Sequence, residues 1–248
     1  MTRENILFSI IGVLLGVIIG YVFATNLNQQ QQAAVQRAPA GRTSSAVSPD
    51  AELPENHPPL IDGAGADTAG ADAAVIERAG AEPQNFEAQM QAAAVHYRNR
   101  RFDEAIKLLV QANQLRPDNY EAVVALGNAN FDANRFEMAE KWYTAALVKN
   151  PKDINVRTDL GLTFLFREPQ DADRAIKEFR RALELDPRHE QTLQNLVVAL
   201  TKKGDFGAAE TTLAKLQEVN PGNQSLTKLR TDLEAARVAP KPPSSKRK

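Results

Sequence analysis

Residues 120–151 read YEAVVALGNANFDANRFEMAEKWYTAALVKNP. Within this stretch Leu126-Gly127, Phe136, Ala139, Tyr143 and Ala146 precede Pro151. The pattern returns up and down the chain. Pro117, Pro151, Pro187 and Pro221 follow one another at spacings of 34, 36 and 34 residues. A fixed period of this size is the mark of stacked supersecondary units. Each unit reads as a helix, a tight turn and a second helix. Proline lacks an N–H and disfavours helix in the residue before it, so it separates one hairpin from the next.

Small residues recur where two helices must approach closely: Ala93, Ala105 and Ala112, then Gly127, Ala139 and Ala146, then Gly161, Ala175 and Ala182. Large apolar residues lie between them, among them Leu109, Leu126, Tyr143, Leu160, Phe179, Leu193 and Leu213. Phe102, Phe136 and Phe206 open the second helix in three copies. The spacing predicts helix pairs at 84–99 with 102–115, 118–133 with 136–149, 152–167 with 171–185 and 188–203 with 206–219. Asp118 followed by Glu121 fits a helix start with a reciprocal cap. A last helix over 224–238 carries one apolar stripe, Leu226, Leu229 and Leu233, and a polar outer face.

These residues resemble the tetratricopeptide repeat family. The resemblance runs from about Phe86 to Pro221 and rests on Leu126-Gly127, Leu160-Gly161 and the Ala139, Tyr143, Ala146 spacing. It departs from the family locally. Gln89 stands where the family usually carries tryptophan, and Ala92-Ala93 replaces leucine–glycine. Two extra residues around Arg167 to Asp171 are expected to lengthen the third inter-helix turn. Val197 and Leu216 replace small residues in the fourth copy, which predicts looser packing or an end to the stack. The fold expected is all-α: a solenoid of four repeats and a C-terminal capping helix over 83–238, behind a single N-terminal membrane helix.

That membrane helix is read from Ile6–Ala24, nineteen residues without a charge after the flank 1–5. As a helix the run measures roughly 28 Å at about 1.5 Å per residue, close to a hydrocarbon core. A cleaved signal peptide is the alternative, with Val22-Phe23-Ala24 as the cleavage site. Its apolar region is normally shorter, about 7–15 residues, so the anchor is preferred. Gly12, Gly16 and Gly20 stack on one helical face, which permits pairing with a second membrane helix or self-association. The flanking charges barely bias orientation. A short anchor before a large domain predicts extracytoplasmic repeats at a bacterial inner membrane.

Residues 25–82 read as a linker, with Gln29 to Gln32, scattered prolines and an Ala/Gly/Asp tract, too poor in large apolar residues to repay ordering. Ala71 to Ala79 is expected to form at most a marginal helix. The tail, 239–248, is rich in proline and serine and carries Lys241, Lys246, Arg247 and Lys248. The whole chain has a net charge of −1 and no cysteine. Disulfides and thiol catalysis are excluded, and no bulk charge points to nucleic acid.

No catalytic constellation is present. His57, His96 and His189 are scattered, and no two are four apart as a helical zinc pair requires. Acid pairs such as Asp103-Glu104 sit at helix starts, where the helix dipole accounts for them. The expectation is a non-enzymatic protein with no catalytic residue, metal or cofactor. The resemblance implies instead a concave groove lined by the first helix of each pair. Its positions here are Met90, Tyr97 and Arg98; Val124, Asn128, Phe131 and Asp132; Thr158, Leu162, Leu165 and Phe166; and Gln194 and Lys202. Such a surface suits an amphipathic helix or extended peptide. Replacing Phe131 and Phe166 by alanine is expected to abolish capture and leave folding nearly unchanged. Of the lysine–asparagine–arginine carboxylate clamp of some relatives, only Asn128 has a clear counterpart in the first three copies. The implied function is a membrane-tethered scaffold for a peptide or partner protein. The architecture is also similar to periplasmic subunits that present apocytochrome for haem attachment. Cleavage after Ala24 would instead release a soluble secreted protein.

Overall fold

The computed structural model describes residues 68–239. Among them are ten helices and no strand: α1 (Thr68–Ala81), α2 (Phe86–Arg98), α3 (Phe102–Leu115), α4 (Tyr120–Asp132), α5 (Phe136–Lys149), α6 (Ile154–Phe166), α7 (Ala172–Leu185), α8 (Glu190–Lys203), α9 (Phe206–Val219) and α10 (Leu226–Val238). The apolar run Ile6–Ala24 with Gly12, Gly16 and Gly20, the linker before residue 68 and the tail after 239 lie outside the described residues. No helix among the described residues is long and apolar enough to cross a membrane.

The first helix of each pair begins two residues later than the period suggests, because the capping residue follows each proline by two. Asn85, Asn119 and Asp153 accept the N–H of Ala88, Ala122 and Val156 at 3.2, 2.8 and 2.9 Å. His189 does the same for Thr192 at 3.4 Å. Each satisfies one of the donors that a helix start leaves unpaired. Helix α4 is therefore capped by Asn119, and Asp118 with Glu121 forms no reciprocal cap.

The inter-helix turns share one closure. The N–H of Arg101, Arg135 and Asp205 donates to the carbonyl of His96, Asn130 and Leu200, at 2.9, 2.8 and 2.9 Å. Arg100, Asn134 and Gly204 occupy the left-handed position in these turns, at φ 56°, 56° and 82°. Glycine adopts that conformation without a Cβ clash, so Gly204 is the unstrained version. In the third hairpin the same bond runs from Asp171 N–H to Phe164 O, 2.8 Å. The two extra residues are looped out inside it, which lengthens the turn to 167–171 as the sequence predicts.

The chain divides into two compact units, Met1–Lys141 and Trp142–Lys248. In the first, α1 packs on α2, α2 on α3 and α3 on α4. Ala88, Ala92, Ala105 and Ala112 are fully buried between large side chains such as Ile106 and Leu109. In the second, α6 packs on α7, α7 on α8, α8 on α9, and α10 against α8 and α9. Gly161 is buried and lets Phe179 approach closely: an added Cβ would lie 2.4 Å from its Cε1. Val197 and Leu216 are 1% and 0% exposed, so the fourth hairpin is closely packed and the expected looseness is not observed.

The stretch read as linker up to residue 82 ends earlier, because residues 68–81 form α1. Fourteen Ala- and Gly-rich residues are marginal as an isolated helix. Tertiary contacts hold this one: Val75, Ile76 and Ala79 pack with Ala88, Ala92 and Leu108. Gln89 is fully buried, and its Nε2 donates to Ala79 O at 2.8 Å and Glu82 O at 3.3 Å. The residue that departs from the repeat pattern thus satisfies carbonyls at the end of α1. Pro83 lies 34 residues before Pro117, which places α1 as the second helix of a preceding half-hairpin. At the other end α10 takes the place of a first helix. Leu226, Leu229 and Leu233 are buried, and Lys228, Arg230, Asp232, Glu234 and Arg237 are exposed, the polar outer face that a terminal repeat needs.

Candidate functional site

A helix that packs on neighbours along two sides leaves one stripe open. On α2 and α4 in the first unit, Met90 and Val124 are half-buried and Glu87 and Glu121 exposed. Tyr97 and Asp132 are half-buried at the C-terminal ends of these helices, and the Tyr97 hydroxyl donates to Asp132. The Tyr97 ring stacks edge-on against Phe102 with centroids 5.6 Å apart. Arg98 is exposed and turns to Asp72 of α1, 3.0 Å away.

Other expected groove positions are closed. Asn128 and Phe131 are 2% and 3% exposed. Phe131 packs edge-on against Phe136, which opens the following helix, with centroids 5.6 Å apart. It is a core residue beside the inter-helix turn, covered there by the Phe136 ring.

In the second unit Thr158, Leu162 and Leu165 are buried, so none of the three presents a surface. Thr158 hydroxyl donates to Ile154 O at 2.8 Å and lies 2.7 Å from the Thr192 hydroxyl, joining α6 to α8. Phe166, Gln194 and Val198 are half-buried and Lys202 is exposed. The accessible subset of the thirteen groove positions is therefore Met90, Tyr97, Arg98, Val124, Asp132, Phe166, Gln194 and Lys202. Sequence alone marks the stripe but not which members are covered. Register within the helix separates some of them: Arg98, Asp132, Phe166 and Lys202 share one accessible position, whereas Asn128 and Leu162 share a buried one.

An ion network braces α6 on α7. Arg157 Nη1 and Arg181 Nη1 approach the two carboxylate oxygens of Glu178 at 2.9 and 2.8 Å, and Arg157 Nη2 donates to Pro151 O at 2.8 Å. With Arg157 and Glu178 side chains 14% and 11% exposed, this is a structural brace. Among the described residues no group of His, Asp and Glu is placed to hold a metal ion.

Two titrations bear on stability. Burial, and next the nearby Arg101 charge, hold His96 below its ordinary pKa of 6.5. The fold favours neutral His96, so its contribution is complete above that value and declines as pH falls below it. Side-chain amides of Asn220 and Asn223 donate to Glu190 Oε2 at 2.8 and 2.9 Å, and these bonds hold its carboxyl below the ordinary 4.5. That contribution is present above 4.5 and is lost as pH drops further. Melting temperature is thus expected to fall in two stages between pH 8 and 3. His96→Gln should remove the upper stage and leave the lower; an unchanged profile in that variant would contradict the assignment.

Comparison with known proteins agrees with this architecture. Residues 129–236 match the model described as the cilia and flagella-associated protein 70 middle TPR-like domain, and residues 96–158 match that of the tetratricopeptide repeat. The human protein O-mannosyl-transferase TMTC3 is 30% identical over 106 residues, which are 42% of this chain and 11% of that protein. The chain therefore spans about a tenth of this relative's length. Among solved structures, MamA superposes with TM-score 0.57 at 23% identity, over 62% of this chain and 90% of the other. YrrB, described as a TPR protein with an unusual peptide-binding site, does so with TM-score 0.57 at 19% identity, over 65% and 82%. MamA from Desulfovibrio magneticus RS-1 gives TM-score 0.58 at 18% identity, over 82% and 98%. At these identities the structures attest the fold.

Proposed function

Because this chain belongs to the tetratricopeptide repeat family, we propose that it is a non-enzymatic scaffold holding a peptide or partner protein on the open stripe of its first helices. The observation that carries this reading is that each unit has half-exposed apolar residues on its first helices, Met90 and Val124 in the first and Phe166 and Val198 in the second. Each sits on a first helix, and each occupies the stripe that helix packing leaves uncovered. A hydrophobic stripe bordered by polar groups suits a helix or strand laid along it. YrrB, whose description names a peptide-binding site, shares the fold.

The test is capture of peptides selected from a random library displayed against the full chain. Met90→Asp with Val124→Asp is expected to weaken capture on the first unit's stripe at least tenfold, and Phe166→Asp capture on the second unit's stripe, while helicity is unchanged. Undiminished capture in both variants would contradict the stripe as the site.

In the same proposal Ile6–Ala24 anchors the repeats to a bacterial-type membrane, raising the local concentration of the stripe at the bilayer. Gly12, Gly16 and Gly20 provide a face for pairing within it. The absence of native cysteine makes the anchor testable. Ser245→Cys should react with a membrane-impermeant maleimide in intact cells if the repeats are extracytoplasmic. Labelling only after lysis would contradict that topology. Extracytoplasmic placement is also what apocytochrome presentation requires. N-terminal sequencing of the mature protein separates the anchored form from a soluble one beginning at Thr25.

A further inference from the structure

The stripe on α4 carries a charge pattern that its neighbours lack. Glu121 and Asp132 are eleven residues apart, about three helical turns, which puts them on one face roughly 16 Å apart. Half-buried Val124 lies between them. Other charges on the α2 and α4 stripe are internally neutralised. Arg116 pairs with Glu87 at 2.7 Å, and Arg98 with Asp72 at 3.0 Å. Among the described residues the Glu121 side chain has no ion-pair or hydrogen-bond partner, and the Asp132 carboxylate accepts the Tyr97 hydroxyl but has no cation opposite. At the position of Asp132 the third and fourth copies have Phe166 and Lys202, so the paired carboxylates belong to the first unit alone.

We infer that the α2–α4 stripe takes a basic amphipathic helix, with Lys or Arg at positions i and i+11 and apolar residues between them that meet Val124 and Met90. Charge complementarity selects this occupant. Eleven residues of a helical ligand span the same 16 Å on one face as Glu121 to Asp132, whereas side chains five residues apart in a strand point to opposite sides. The selection deepens the peptide-scaffold reading and rests on it. Being exposed, the Glu121 contribution fades as salt shortens the screening length to about 8 Å at 0.15 M.

The experiment is selection of random sixteen-residue peptides on the full chain at low ionic strength, followed by titration of the enriched sequences. Enrichment of basic pairs eleven apart around apolar residues is expected. Glu121→Lys should weaken these peptides at least tenfold, Asp132→Asn several-fold, and Glu77→Lys, exposed on α1, less than twofold. Enriched peptides that are acidic or indifferent to charge, or that respond equally to Glu77→Lys, would overturn this inference and leave the scaffold reading standing. Failure to enrich any peptide would overturn both.

Discussion

Phe131→Ala is expected to destabilise the protein by about 3–5 kcal/mol, the usual cost of deleting a buried phenylalanine side chain. For a chain of this size that corresponds to a fall in melting temperature of roughly 10 °C. The ring is 3% exposed and stacks on Phe136. Its removal empties space over the turn that joins α4 to α5, where Asn134 holds a left-handed conformation and the Arg135 N–H closes on Asn130 O. Phe166→Ala, at a half-buried position, should cost much less. Thermal unfolding of the two single variants checks this. Equal, small shifts would mean that Phe131 stands free of the core, and would restore it to the binding stripe.

Gly161→Val should cost about 3 kcal/mol, and Gly161→Ala about 1–2, when overpacking is weighed against helix propensity. The Cβ of either residue would fall 2.4 Å from Cε1 and 2.7 Å from Cδ1 of Phe179. Phe179 is itself fully buried, so its ring has nowhere to move without displacing α7. Alanine recovers roughly 1 kcal/mol by restricting the unfolded chain and favouring helix, which is why its net cost is smaller. Urea unfolding of the pair is the check. A neutral or stabilised Gly161→Ala would show that α6 and α7 separate easily, contrary to the packing described.

The fold is legible in the sequence because its period is physical. Pro117, Pro151, Pro187 and Pro221 break helices, and Gly127, Gly161, Ala139 and Ala146 permit close approach, so hairpin positions follow from steric rules alone. Helix α1 is less legible. Its residues are mostly alanine and glycine, and its order comes from Gln89 and Leu108 in later helices, a tertiary effect that local composition does not show. Pro83 is the signal that finds it, since it extends the 34-residue series by one step. The binding stripe was half legible. Spacing assigns residues to a helix face, but whether Phe131, Leu162 or Leu165 meets water depends on how the next turn folds over it. Tyr97 and Asp132, more than thirty residues apart, meet only in three dimensions.

The most direct test of the scaffold account is amide hydrogen exchange of the full chain with and without a peptide selected on it. Binding along the stripe should slow exchange across 86–98 and 120–132, the amides of α2 and α4, and leave 102–115 of α3 unchanged. Protection confined to α3, or spread evenly over every helix, would contradict a peptide held on the first helices.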